Sequence, residues 1–313
     1  MAWPRRLRIS LLGVGVVLAL GACSSTRSTI GGDGGTANGS AKVKVAATTT
    51  QVADFARVIG GDCVEVYGIL KPNVDPHDYE PSPADVNALA EAEVIIKNGV
   101  DLEKWLEPTL ASASSAGIVV DTSAGVTIRH GDGAETAGDP HIWHDPHNAK
   151  IMATTIEQAL TSARPTCQAE FAANLADYST KLDALDRAIV SSIATLTNKK
   201  LVTNHDAFGY YVDRYGLDFV GSIIPSFDSS AELSANQLAD LVTAIRAQGV
   251  KAVFSETSLP AKTADAIAGE AGVKVVEGDD ALYGDTLGPA GSPGDTYLDM
   301  MRHNTETIVT NLR

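Results

Sequence analysis

Residues 168–199 read QAEFAANLADYSTKLDALDRAIVSSIATLTNK, a stretch with neither Gly nor Pro. Its stripe residues fall at Phe171, Leu175, Tyr178, Leu182, Leu185, Ile189, Ile193 and Leu196, with gaps of three or four that draw one line along a helix. At about 1.5 Å per residue such a helix is on the order of 45 to 48 Å long, the span of two small domains. On both sides of it the chain alternates short β-prone runs with helical ones. Strands are expected at Val43–Ala47, Val64–Leu70, Val94–Ile96 and Ile118–Val120, with helices at Val52–Ile59, Ser82–Ala92 and Leu102–Ala111. After it come strands at Leu201–Thr203, Leu217–Gly221, Ala252–Phe254 and Val273–Val276. The helices there are Ala207–Tyr215, Ala235–Gln248, Ala261–Ala271 and Thr296–Leu312. The expected fold is therefore α/β, two lobes with largely parallel sheets joined by one long helix. Residues 42–165 make the first lobe, 166–199 the linking helix and 200–313 the second lobe. A coiled-coil oligomer is the competing use of the stripe.

Three histidines and an aspartate lie in polar turns that follow or link these apolar runs. They are His77 in DPHDYEPS, His141 in DPHIWHDP, His205 in VTNHDAFGYY and Asp285 in LYGDTLG. Ligands of open α/β sheets sit beyond the carboxyl ends of the strands, so a cleft between the lobes would gather all four. Three neutral imidazoles and one carboxylate form a tetrahedral shell suited to Zn²⁺, and four protein ligands leave no open position for a substrate. That chemistry describes a carrier of metal. Each imidazole competes with a proton at its ordinary pKa, so affinity is expected to weaken below about pH 6.5.

The amino terminus reads as an export signal in residues 1–22. Arg5, Arg6 and Arg8 precede a run from Ile9 to Leu20, which is well short of the roughly 20 apolar residues of a spanning helix. Leu20-Gly21-Ala22-Cys23 looks like a lipobox, in which the Cys23 thiol is acylated and anchors the chain in the membrane, facing away from the cytoplasm. Residues 23–41 are Ser-, Thr-, Gly- and Asn-rich and read as a flexible tether. Loss of the three leader arginines takes the formal charge from −15 to −18. That balance, with no basic cluster beyond Lys199-Lys200, argues against nucleic acid as a partner. Export leaves Cys63 and Cys167 as an even pair in an oxidising compartment, either bridged or two buried thiols.

Taken together, PHDYEPSP, DPHIW, NHDAFGY and LYGDTLG followed by DTYLDMMRHN resemble the TroA-like, zinc- and manganese-type solute-binding lipoproteins of ABC transporters, over the whole length from the lipobox to the last helix. The resemblance implies two α/β lobes bridged by a backbone helix. It implies a monomer that hands its ion to a membrane permease with its ATPase. His77, His141 and His205 match the imidazole ligands and Asp285 the carboxylate. His at the third position resembles the zinc type, whereas Glu there is common in the manganese type, so Zn²⁺ is the expected ion and Mn²⁺ the alternative.

Two departures from the family pattern stand out. Position 144, usually apolar, is His144, and the His-rich loop of many zinc members is reduced to His130. His141, His144 and His147 are evenly spaced, but Pro146 interrupts a helix that would align them. His144 is expected beside the imidazoles or exposed, and His130 and His303 in solvent. Asp78, Asp139, Asp145 and Asp206 can orient imidazoles, or cap turns and helix starts. A zinc metallohydrolase would need a vacant coordination position and a nearby base. Neither a HExxH helix nor a nucleophile elbow occurs, so the chain is not expected to be an enzyme.

Overall fold

The computed structural model describes residues 41–131, 136–231 and 234–313. The expectations for the export signal, the lipidated Cys23 and all but the last residue of the tether fall on residues 1–40, outside the described residues.

Strands β1 (Val43–Ala47), β2 (Val64–Gly68), β3 (Val94–Lys97) and β4 (Ile118–Asp121) form a parallel sheet in the order 2-1-3-4, with Val43 opposite Val64 and Val45 opposite Val94. Parallel pairing demands crossovers, and helices α1 (Thr50–Gly60), α2 (Pro83–Glu91) and α3 (Leu106–Ala113) supply them. Helix α2 starts as its sequence asks. Ser82 accepts the Asp85 amide, the Asp85 carboxylate returns to the Ser82 amide, and Pro83 sits in the first turn. Helix α3 begins four residues later than expected. Gly99, Val100 and Asp101 all have positive φ, and the buried Glu103 carboxylate accepts the Asn98 and Gly99 amides, holding this segment out of the helix.

Helix α4 (Pro146–Ala163) was not anticipated. Pro146 does not break a helix but opens one, with the Asp145 side chain accepting the His147 amide as its cap. Proline's missing N–H costs nothing in a first turn, where that donor has no partner anyway.

The long helix α5 runs Gln168–Ile193, about 39 Å at 1.5 Å per residue. It stops before Lys199 because Thr195 turns its hydroxyl onto the Ser192 carbonyl and the Leu196 amide closes a tighter turn on Ile193. Its stripe is used within the chain. Phe171, Tyr178, Leu182, Leu185, Ile189 and Ile193 are all buried in one cluster that runs from Val43 of β1 to Leu312 near the carboxyl terminus. Cys63, in the turn before β2, is joined by a disulfide to Cys167, the residue before α5, with Cα atoms 6.5 Å apart.

Beyond α5 the chain alternates again through β5 (Lys200–His205), α6 (Gly209–Tyr215), β6 (Asp218–Ile224), α7 (Ala235–Gln248), β7 (Ala252–Phe254), α8 (Lys262–Ala271), β8 (Lys274–Val276) and α9 (Tyr297–Leu312). β5 pairs with β6 and β7 with β8, both parallel, and a bridge between Glu256 and Leu282 extends the second pair. Val202, Ile223, Val253, Ile245 and Ile267 pack a second, smaller core beneath these strands. The fold is α/β with parallel sheets, as expected.

Candidate metal centre

Each of the four candidate residues stands at the carboxyl end of a strand or in the loop that follows one. His77 lies in the loop after β2, His141 in the loop between β4 and α4, His205 is the last residue of β5, and Asp285 lies between β8 and α9. Their potential ligand atoms all come within 4.8 Å of one another. The His141 Nε2 atom is 3.4 Å from His77 Nε2, 3.2 Å from His205 Nε2 and 3.3 Å from Asp285 Oδ1, and His205 Nε2 is 3.4 Å from the same oxygen. Donors about 2.0–2.1 Å from a shared tetrahedral centre lie about 3.3–3.4 Å apart, a separation that these four pairs approach, so the cluster could hold a metal ion. His141, His205 and Asp285 are fully buried, and His77 is partly exposed. Apart from the two imidazole nitrogens at 3.3 and 3.4 Å, no donor among the described residues bonds the Asp285 carboxylate. A buried carboxylate needs compensating positive charge, and a cation at this centre would supply it.

Two imidazoles are oriented by acids on their far side. Asp139 accepts both the backbone N–H of His141 (3.0 Å) and its Nδ1 (2.7 Å). Arg129 at 3.2 Å pairs with the other oxygen of that carboxylate. Glu256, just past β7, does the same for His205, 3.0 Å from its amide and 2.9 Å from Nδ1. These bonds keep the proton on Nδ1, which donates to the acid, and turn Nε2 toward the centre. His77 is fixed through its backbone, which donates to Asp75 Oδ1 at 2.9 Å.

Asp139 was thus found among the acids beside the motifs, whereas Glu256 was not. Its only sequence signal is an acid just past a strand, the position that also marks His205. Two other expectations are corrected. Asp78 is exposed and bonds none of the imidazoles. The Asp206 carboxylate bonds none either, and burial raises its pKa. The chain after His205 turns away with the Asp206 amide on the Ser226 carbonyl. Asp145 is the α4 cap, and His147 is exposed. His303 is only partly exposed, its Nε2 3.0 Å from the Ala281 carbonyl. His144 is fully buried, with Nε2 2.9 Å from the Gly284 carbonyl.

The four side chains shift one another's protonation. Burial lowers the His141 pKa, but the Asp139 and Asp285 carboxylates outweigh it and raise it to about 9. Burial likewise opposes the protonated form of His205, and Asp285 and Glu256 together hold its pKa well above the ordinary value. Burial pushes His77 down to about 3. Burial would raise the Asp285 carboxyl, yet the facing imidazoles hold it well below the usual range. The carboxylates thus favour the protonated imidazoles of His141 and His205 and the imidazoles the ionised form of Asp285, and an ion bound here would displace imidazole protons.

Comparison with known proteins points the same way. Residues 45–311 match the model of the ZnuA family, described as the periplasmic component A of the zinc-uptake complex. The zinc-binding protein TroA of Treponema pallidum is 31% identical over 301 residues, covering 95% of this chain and 96% of TroA. Its solved structure superimposes with a TM-score of 0.79 at 28% identity, over 87% of this chain and 99% of that one. The iron ABC transporter substrate-binding lipoprotein MtsA of Streptococcus pyogenes serotype M1 is 30% identical over 95% of both chains. The manganese-binding lipoprotein MntA of Bacillus subtilis is 32% identical over 87% of this chain and 90% of its own.

Proposed function

Because the chain belongs to the ZnuA family of solute-binding proteins, we propose that it captures a divalent transition metal outside the cytoplasm and delivers it to an ABC-transporter permease and its ATPase. The ligands are His77, His141, His205 and Asp285, and the preferred ion is Zn²⁺. The observation that carries this reading is the convergence of three imidazoles and one buried carboxylate whose ligand atoms all lie within 4.8 Å of one another. Four protein donors complete a tetrahedral shell, which favours holding an ion over activating water on it.

The choice of Zn²⁺ rests on the donor set. Three nitrogens and one oxygen suit zinc, while Mn²⁺ stands lower in the affinity order and prefers oxygen. Manganese remains the second reading because MntA, similar to this chain, is a manganese-binding lipoprotein. In this account residues 1–22 are removed, Cys23 carries the lipid, residues 23–41 form the tether, and lobes 42–165 and 200–313 work as a monomer hinged on the 166–199 linker. Elemental analysis of protein purified without added metal, followed by competition between Zn²⁺ and Mn²⁺, tests the proposal. One equivalent of tightly held zinc supports it. Outright preference for Mn²⁺ transfers it to the second reading, and no tight metal refutes it.

A further inference from the structure

His144 is completely buried without being one of the four converging residues, and its Nδ1 has no hydrogen-bond partner. The ring lies 4.4 Å from Phe208 at 31°, a slot that Phe or Leu would fill without burying a polar atom. Packing alone gives no reason for an imidazole here. Its other nitrogen does. Nε2 donates to the Gly284 carbonyl at 2.9 Å, and the Trp143 indole N–H donates to the same oxygen at 3.0 Å. Burial pushes the His144 pKa down to about 3, so the ring is the neutral donor this geometry needs.

Gly284 immediately precedes Asp285. On its other face the Glu256 carboxylate packs so closely that any Cβ at 284 would collide with it. The peptide is therefore wedged between the acid that orients His205 and two donors that follow His141. The residues after it are tied in the same direction. Gln51 Nε2 donates to the Asp285 carbonyl at 2.9 Å, the Asn73 amide to Thr286 Oγ1 at 3.0 Å, and the Leu287 amide to Thr50 Oγ1 at 2.8 Å. Residues 284–287 come late in the chain, yet all these bonds reach them from the first half. Trp143 is itself held, its carbonyl accepting the Tyr297 hydroxyl at 2.7 Å.

We infer that His144, together with Trp143, is a positioning residue for the metal site: the pair of hydrogen bonds to the Gly284 carbonyl sets the carboxylate of Asp285 from the segment that also carries His141. Two donors on one carbonyl fix the peptide plane, and the plane fixes where the Cα–Cβ bond of the next residue points. An apolar residue at 144 leaves the indole as the sole donor and lets the peptide rotate about that bond. The carboxylate is then free to miss the spacing that matches the three imidazoles.

This inference rests on the reading of the four donors as metal ligands. Two variants test it, His144→Phe, which keeps the aromatic contact with Phe208 and removes the donor, and His144→Gln, whose amide N–H replaces it. Zn²⁺ affinity is measured by chelator competition, and Co²⁺ placed in the site reports ligand geometry through its d–d absorption. The expected result is an affinity loss of at least about tenfold for His144→Phe, in the range of other groups that orient metal ligands. A changed Co²⁺ spectrum should accompany it, and His144→Gln should restore most of both. Should His144→Phe fail to fold, Trp143→Phe removes the other donor and must weaken binding in the same way. A wild-type spectrum and unchanged affinity in His144→Phe, or a His144→Gln variant as weak as His144→Phe, overturns the inference while leaving the metal site standing. Wild-type protein that binds no metal overturns both.

Discussion

Lowering the pH from 8 to 6 should weaken Zn²⁺ binding by at least two and up to about four orders of magnitude. In the metal-free centre His141 titrates near 9, because Asp139 and Asp285 outweigh the burial that opposes its charge, and His205 is shifted upward by Asp285 and Glu256. His77, depressed to about 3 by burial, is already neutral. One or both of the raised imidazoles must therefore give up a proton to coordinate, and each adds about one decade of affinity per pH unit, or about 1.4 kcal/mol, below its pKa. Unshifted histidines would give a different curve, flat above about pH 7.5 and falling only below about 6.5. Chelator competition at half-unit steps, with calorimetry in buffers of different ionisation enthalpy to count released protons, separates the two. The same shifts make an opposite prediction for the metal-free fold. A histidine whose folded pKa is raised contributes stability that is fully present below its unfolded value, near 6.5, and lost as pH rises toward about 9. The gap between melting temperatures with and without Zn²⁺ should thus widen from pH 6.5 to 9. Zn²⁺ affinity that is flat between pH 7 and 8.5, with no proton released, would refute the charge arrangement described for this site.

Glu256→Gln removes the charge behind His205 and should cost about 10- to 100-fold in Zn²⁺ affinity while making the pH dependence shallower, readable from the same competition assay. His205→Glu replaces a nitrogen by a charged oxygen and should lower the ratio of Zn²⁺ to Mn²⁺ affinity at least about tenfold, about 1.4 kcal/mol, without unfolding the protein. Replacing Cys63 and Cys167 together by Ala should lower stability by up to about 4 to 5 kcal/mol on the chain-entropy account of a loop with sequence separation 104. Denaturant midpoints measure that, and two free thiols in denatured, unreduced wild type would contradict the bridge. Cys23→Ala should move the protein from the membrane fraction to the soluble one, and a variant that still pellets with membranes rules out the lipid anchor.

The elements legible in the sequence are those whose signals are local. Helix α7 falls on the expected residues because Ser234 caps its start and Gly249, with φ 68°, ends it in a conformation that suits glycine. The four candidate ligands were legible because they sit in polar turns beside strands, within motifs that together resemble one family; a histidine in such a turn is otherwise as readily an ordinary loop residue. Helix α4 was hidden by an ambiguity of proline, which breaks a helix from within and opens one from its first turn, and only the Asp145 cap decides between them. The end of α5 was overextended because the apolar stripe continues to Leu196, which is buried although the helix has already closed. Glu256 could not be picked out because its partner, His205, is 51 residues away and the two meet only when β5 and β7 lie side by side. His144 shows the same limit in another form. Its type was visible as a departure, but its role depends on a carbonyl 140 residues away.

An anomalous difference map collected across the zinc edge, on crystals of protein loaded with one equivalent of Zn²⁺, tests the central claim most directly. The account predicts a single strong peak about 2.0–2.2 Å from the Nε2 atoms of His77, His141 and His205 and from a carboxylate oxygen of Asp285, with no fifth ligand. A peak that leaves out any of these four residues, or one whose shell holds an exchangeable water, would contradict it.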